Sequence, residues 1–423
     1  MTFSNVRRRL RIPPKRVAVS ERFHSALLAF FFNIPAINMI LTAVLGVSLM
    51  SFLYAFTVGC ILLSFAACGG ILRLRTGGLY PAALAAFLLI LYLTGILCGM
   101  VSGVDVGRFL LLSLLPLLLP IMLSFDRADF LRFSMVFTAP GIFFLPRIFA
   151  VEPVNRTITM GVSYAFLLPV LCALLYLFFL RKEDPPRRRA FMLILAAIQA
   201  VYAAQIFLYG TRGAVFSIAL CAALAVCVRV RRRGGISLYP RRTVLLTVLL
   251  LLLFLFFWDL LGALHGLLAS RSLSVRFIDK LLALHREGDI LNGRKACYRA
   301  AWEGIFAGTF PMLFGHGIST FAANTGMVYP HNFLLQLLYD GGLLLFCLVA
   351  IPLAWRAVGT LRRCDRNTWM LFLLLFCSAV IRALFSADLW KQELLWFFFG
   401  ILLAGEPVVL RRKPPTGNLL SRI

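Results

Sequence analysis

From Phe23 to Gly405 the chain is a succession of apolar runs, each about 20 residues long, separated by short polar breaks. The runs are continuous rather than alternating, so they predict helices and not barrel strands. A helix of that length crosses about 30 Å of hydrocarbon, and in lipid the backbone must satisfy its own polar groups, which a helix does. The pattern predicts twelve membrane helices, over 24–46, 49–72, 79–100, 108–125, 130–149, 160–180, 190–209, 213–230, 243–263, 332–355, 368–386 and 389–405. The first two are the hardest to separate, because Phe23–Leu72 is almost unbroken. The first run is followed at once by another, which predicts a retained helix rather than a cleaved leader.

The breaks carry the charge. RKEDPPRRR at 181–189 and RVRRRGGISLYPRR at 229–242 are stop signals, and the N-terminal stretch holds Arg7, Arg8, Arg9, Arg11, Lys15, Arg16 and Arg22. Alternating the twelve spans from a cytoplasmic N-terminus puts the greater part of the 43 Lys and Arg on the cytoplasmic side, as the positive-inside rule requires. The expected organisation is a basic cytoplasmic tail (1–23), nine helices (24–263), an external segment (264–330), three helices (331–405) and a second basic tail (406–423). Within the external segment, Val275–His285 and Arg294–Phe306 have helical spacing, with Phe277, Leu281 and Leu284 on one face and Trp302, Ile305 and Phe306 on another. They predict short amphipathic helices lying on the outer membrane surface. The fold class is therefore all-α, a polytopic integral membrane helix bundle.

Composition agrees. The chain is 61% hydrophobic and 14% charged, where a soluble domain would carry about a quarter charged residues. A net charge of +26 on a soluble protein would suggest nucleic acid. Here topology accounts for it, so the partners expected are membrane lipid and membrane-borne substrates, with no nucleic acid. Most of the ten cysteines sit inside apolar runs, and no CxxC occurs, which argues against a disulfide framework.

Charged and polar groups at membrane helix ends call for an explanation. Three clusters stand out, all on the external face by the alternation above. The first is Gly210-Thr211-Arg212-Gly213-Ala214, at the start of the eighth helix, where free N–H groups and the helix dipole favour an anion. Arg212 adds a planar donor fork suited to phosphate. Its bland alternative is an arginine that snorkels to the interface. The second is Asn292-Gly293-Arg294, otherwise a turn with a solvated arginine. The third runs from Gly315-His316-Gly317, more simply a turn, through Tyr329-Pro330-His331-Asn332 to Tyr339-Asp340-Gly341-Gly342. A histidine at the mouth of the tenth helix is either a general base or a helix-capping group. Two cations and one base facing one compartment fit a pyrophosphate-bearing substrate. No DxD, Walker A or HExxH motif is present, and His316 and His331 lack the ligand spacing of a metal site, so no metal and no cofactor is expected.

At these clusters the chain resembles the O-antigen ligase and O-antigen polymerase superfamily. The matching stretches are GTRGA at 210–214, NGR at 292–294 followed by Trp302, FPMLFGHGISTF at 310–321 and HNFLLQLLYDGG at 331–342. The resemblance covers residues 210–342 in detail. It implies a metal-independent, inverting glycosyltransferase in the bacterial cytoplasmic membrane. The donor would be a glycan on undecaprenyl pyrophosphate, and the acceptor a lipid-linked or wall glycan. In this reading His331 activates the acceptor hydroxyl, Arg212 and Arg294 hold the pyrophosphate, and Thr211, Gly213, Gly293, Gly315, Gly317, Asn332 and Asp340 support them. Asp340 stands where relatives often carry glutamate, and Asn292 where serine is common. Two rival readings are a capsule or wall polysaccharide polymerase of the same superfamily and a polysaccharide flippase. The second predicts charges deep in several helices, whereas the mid-helix regions here are almost charge-free.

Overall fold

The computed structural model describes residues 14–67, 79–98, 106–149, 156–231, 234–271, 275–288 and 293–405. The extreme N-terminal arginines, Arg73 and Arg75, Asn292 and the C-terminal tail lie outside these. The protein is an all-α membrane protein. The helices are α1 (Pro14–Leu45), α2 (Met50–Ala67), α3 (Leu79–Leu97), α4 (Val106–Met122), α5 (Arg127–Ile148), α6 (Met160–Leu180), α7 (Pro186–Tyr209) and α8 (Arg212–Cys227). A hairpin, β1 (Val228–Val230) and β2 (Ile236–Leu238), comes next. Then follow α9 (Pro240–Leu255), α10 (Phe257–Ala269), α11 (Arg276–Arg286), α12 (Arg294–Ile305), α13 (Thr309–Phe314), α14 (Phe321–Thr325), α15 (Phe333–Arg363), α16 (Arg366–Phe385) and α17 (Glu393–Ala404).

Eight helices are long and apolar enough to cross a membrane: α1, from Ser20, α2, α3, α5, α6, α7, up to Leu208, α15 and α16. The other expected spans fall on shorter helices, α4, α8 and α17, and on the α9–α10 pair, which breaks at Phe256. The doubtful boundary between the first two spans is a real break. Gly46 takes φ 74°, a left-handed conformation that costs glycine little, and Asn38 Oδ1 accepts from the Leu49 amide at 2.8 Å to start α2.

Lipid gives apolar side chains no reason to avoid it, so packing rather than hydrophobicity sorts these helices. α17 is buried on nearly every face, with Trp396 and Phe397 fully enclosed. α9 instead turns Leu245 and Leu255 outward, 71% and 61% exposed, as a lipid-facing helix does.

Two features depart from the sequence reading. The 229–242 segment, read as a basic loop, contains the antiparallel hairpin, in register Val228↔Leu238 and Val230↔Ile236. The helix led by Asn332 is not continuous. Gly342, at φ 62° and ψ −169°, breaks it one-third of the way along.

The segment between α10 and α15 does form short helices. On α11, Leu281 and Leu284 are buried, and Leu281 packs with Leu261 of α10. On α12, Ile305 is buried against Tyr339 while Trp302 and Phe306 are more than half exposed.

Candidate functional site

The break in α15 explains the glycine motifs. Ending the first segment at Gly341 frees the carbonyls of Tyr339 and Asp340, and an unpaired carbonyl inside a membrane protein costs several kcal/mol. The loop supplies the donors. His316 N donates to Tyr339 O and Gly317 N to Asp340 O, both at 2.9 Å. Two backbones can approach this closely only without side chains between them. A Cβ on Gly315 (φ 76°) would strike the Asp340 backbone, and one on Gly342 would strike Leu313. Gly315, Gly317 (φ 102°) and Asp340 are thereby a joint between the loop and the membrane helix. Around it the His316 ring stacks on Tyr339 at 4.5 Å, and its Nε2 meets Gly304 O at 3.0 Å. The Asp340 carboxylate is buried, accepting from Trp390 Nε1 at 2.5 Å and from the Ser319 amide at 3.3 Å. Asp340 lies in the helix that His331 and Asn332 lead into, about 10 Å of rise beyond its first residue, Phe333.

His331 lies at the entry to α15. Asn332 is the N-cap, its Oδ1 accepting from the Leu334 and Leu335 amides at 3.0 and 3.2 Å. The residue before the cap must turn sharply, and His331 does so at φ 59°, a conformation rare outside glycine and worth about 1–3 kcal/mol of strain. Its ring lies 4.2 Å from that of Tyr329, and its Nδ1 is buried without a hydrogen-bond partner among the described residues. Burial, and then the positive charge of Arg294, push the imidazole down to about 4, so it is neutral at physiological pH.

Arg294 opens α12 directly after Gly293, which takes φ 78° at the cap. Its guanidinium donates to Ser386 Oγ at 3.1 Å, and Tyr329 donates its hydroxyl to the carbonyl of the same residue at 3.3 Å. Ser386 follows α16, so this one residue joins the second and third clusters. The last turn of α16 brings Arg382, whose guanidinium carbon lies 4.7 Å from the centre of the Tyr164 ring on α6. Its Nε is buried without a hydrogen-bond partner among the described residues. The Tyr164 hydroxyl in turn packs against Gly213, and Ser163 packs against Gly210. The first cluster is thus linked to the others through Tyr164 and Arg382. The glycines there make room for α6.

Arg212 is the first residue of α8, half-buried, with interactions of its own. Thr211 occupies the N-cap position without capping, and its Oγ1 is buried and unpartnered. Neither α8 nor α12 has an acidic residue in its first turn, and both place an arginine there. The helix dipole disfavours a cation at that end. Among the described residues, neither Arg294 nor Arg382 forms an ion pair. Arg294 thus sets its charge beside a neutral histidine, while the buried Glu393 partly offsets the charge of Arg382.

Two charges sit at the ends of spans. Arg382 lies in the last turn of a span and Glu393 in the first turn of another, 8% exposed. An arginine inside an apolar run, with no carboxylate at helical spacing, was the available signal. Tyr164 and Ser386 gave none, since their role comes from long-range packing. Among the described residues no group of three or more His, Cys, Asp or Glu could hold a metal ion. No family model matches this chain, and no curated protein matches it either.

Proposed function

We propose that the protein is a membrane glycosyltransferase of the O-antigen ligase and polymerase type, moving a glycan from undecaprenyl pyrophosphate to an acceptor hydroxyl in surface polysaccharide synthesis. The observation that carries this reading is the neutral His331 beside Arg294, with Arg382 reaching the neighbouring Tyr329 from a separate element. The acceptor oxygen attacks the anomeric carbon opposite the pyrophosphate. Its proton passes to His331, the anomeric C–O bond breaks, and the lipid pyrophosphate leaves with the bonding electrons. Arg294, Arg382 and Arg212, with the α8 N-terminus and Thr211, stabilise the negative charge that builds on it. Such preorganised donors act without metal.

In this reading the chain crosses the membrane twelve times from a cytoplasmic N-terminus, and residues 264–330 lie outside. The exposed Trp302, Phe306, Phe310 and Phe314 fit a loop resting on the membrane interface. Ligase and polymerase differ in the acceptor, which the arrangement does not specify.

The broken α15 and its buried Asp340 favour a second reading, a flippase, because discontinuous helices line transporter sites. Against it, the loop amides already take up the carbonyls freed at Tyr339 and Asp340, so the break holds a joint. Purified protein in liposomes, supplied with lipid-linked donor and acceptor on one side, separates the two. Covalent product formed in the presence of EDTA supports transfer. Movement of intact donor across the bilayer without product supports the flippase. Metal-dependent product would remove the arginines as the main phosphate clamp.

A further inference from the structure

A concave feature lies at the opposite ends of the same helices, where α8 and α15 finish. A cavity of about 690 Å³ opens between the ends of α6 and α8, the hairpin and the α15–α16 junction. Small-molecule sites typically span about 300–1,000 Å³. Five arginines line it: Arg366 at the start of α16, and a group of four made up of Arg229 and Arg231 from the hairpin, Arg242 from α9 and Arg363 from α15. Among the described residues none of the four joins an ion pair. The other charges at the rim are matched elsewhere. Asp365 caps α16 and faces Arg127 at 3.5 Å, while Arg366 pairs with Glu183.

The arginines are exposed, and contacts around the rim hold two of them in place. Arg242 and Arg229 lie over the Tyr239 ring, 4.5 and 5.4 Å from its centre. Arg229 Nε also donates to Ser237 Oγ at 3.1 Å, across the hairpin register. The hairpin turn is fixed to the end of α15, since the Gly235 amide donates to Cys364 O at 2.9 Å. Gly235 takes φ 79°, and a Cβ there would strike the Arg362 carbonyl. Phe178 and Phe179 form an apolar wall. Guanidinium groups gathered against apolar and aromatic surface repel one another, and an anion between them reverses the sign of that interaction.

We propose that this pocket binds a phosphate or pyrophosphate group, carried either on an anionic lipid headgroup or on a soluble phosphorylated molecule. Guanidinium forks match phosphate oxygens in pairs. Basic pockets between helix ends at a membrane surface suit such headgroups. The proposal does not depend on the transfer chemistry above.

The test is thermal unfolding of the purified full-length protein. Nanodiscs of phosphatidylcholine alone are titrated with sodium pyrophosphate, against sodium chloride of equal ionic strength, and compared with nanodiscs containing phosphatidylglycerol. A rise in Tm with pyrophosphate in the neutral discs identifies a soluble source, and a rise with phosphatidylglycerol alone identifies the headgroup. In either arm Arg229→Gln with Arg242→Gln should weaken the response about tenfold or more, from the loss of charge-assisted hydrogen bonds. Arg299→Gln, exposed on α12 and paired with Glu303, should leave it unchanged. If the double variant fails to accumulate, Arg231→Gln replaces it, because that side chain is exposed. A wild-type Tm indifferent to both ligands overturns the proposal whatever the variants do. So does a response that Arg294→Gln abolishes and the pocket variants retain.

Discussion

Arginine plays opposite parts in two regions of this molecule. Where α5, α6 and α7 meet, Arg132 reaches Asp184 at 2.7 Å and Asp129 at 3.0 Å, and Arg188 reaches Asp129 at 3.1 Å. Asp184 is 3% exposed and also accepts from the Tyr176 hydroxyl. Those charges are cancelled on the spot, and the network ties three helices together. Around His331 the arrangement is reversed. Arg294 meets a serine hydroxyl, and Arg382 an aromatic ring with the buried Glu393 in electrostatic reach, so neither forms an ion pair among the described residues. The difference teaches that location at a helix end does not distinguish structural from functional arginines. The identity of the partner does.

Substitutions at the two regions should therefore fail in different ways. The largest effect on transfer belongs to His331→Ala, expected to lower product by about 10²–10⁴-fold, with the membrane level of the protein retained and donor accumulating. Parallel assay of protein, donor and product checks this, and normal product removes His331 from the mechanism. Next come Arg294→Gln and Arg382→Gln, each expected to cost about 10²–10³-fold. Lysine should not rescue them, because it keeps charge but loses the fork. Near-normal turnover in either variant would place that arginine with the structural group.

The pH profile should show a smaller effect. A base must be neutral, and burial together with Arg294 holds His331 at about 4. Turnover should hold as pH falls from 7 to 5 and decline as it passes through about 4. In Arg294→Gln the remaining activity should decline at a higher pH, since one of the two depressing influences is gone. The shift is the smaller share, because burial is the larger cause. The least effect on turnover is expected from Arg132→Ala. Breaking that buried network should destabilise the protein by about 3–5 kcal/mol, read as lost protein or lowered Tm. Turnover per folded molecule should stay unchanged, and a loss there would end the contrast between the two regions.

Much of this arrangement was readable along the chain. Continuous apolar runs mark the helices, and Arg294 and His331 stand out as polar residues at their edges. What escaped depends on contacts between distant segments. Arg382 looks like one more residue of an apolar run until Tyr164, some 200 positions away, is placed beneath it. The break in α15 was written in Gly341-Gly342, but a glycine pair inside a hydrophobic stretch is tolerated often enough to read as helix. The hairpin hid within a run of arginines whose charge dominated its interpretation.

The joint between the loop and α15 also has a consequence for how the protein is made. Its donors, His316 and Gly317, are synthesised before its acceptors, Tyr339 and Asp340. The loop can therefore be in position when the broken helix emerges during biosynthesis, and the two carbonyls need not enter the bilayer unpaired. A chain reordered to place α15 ahead of its loop would reverse that sequence and expose the open helix end during insertion.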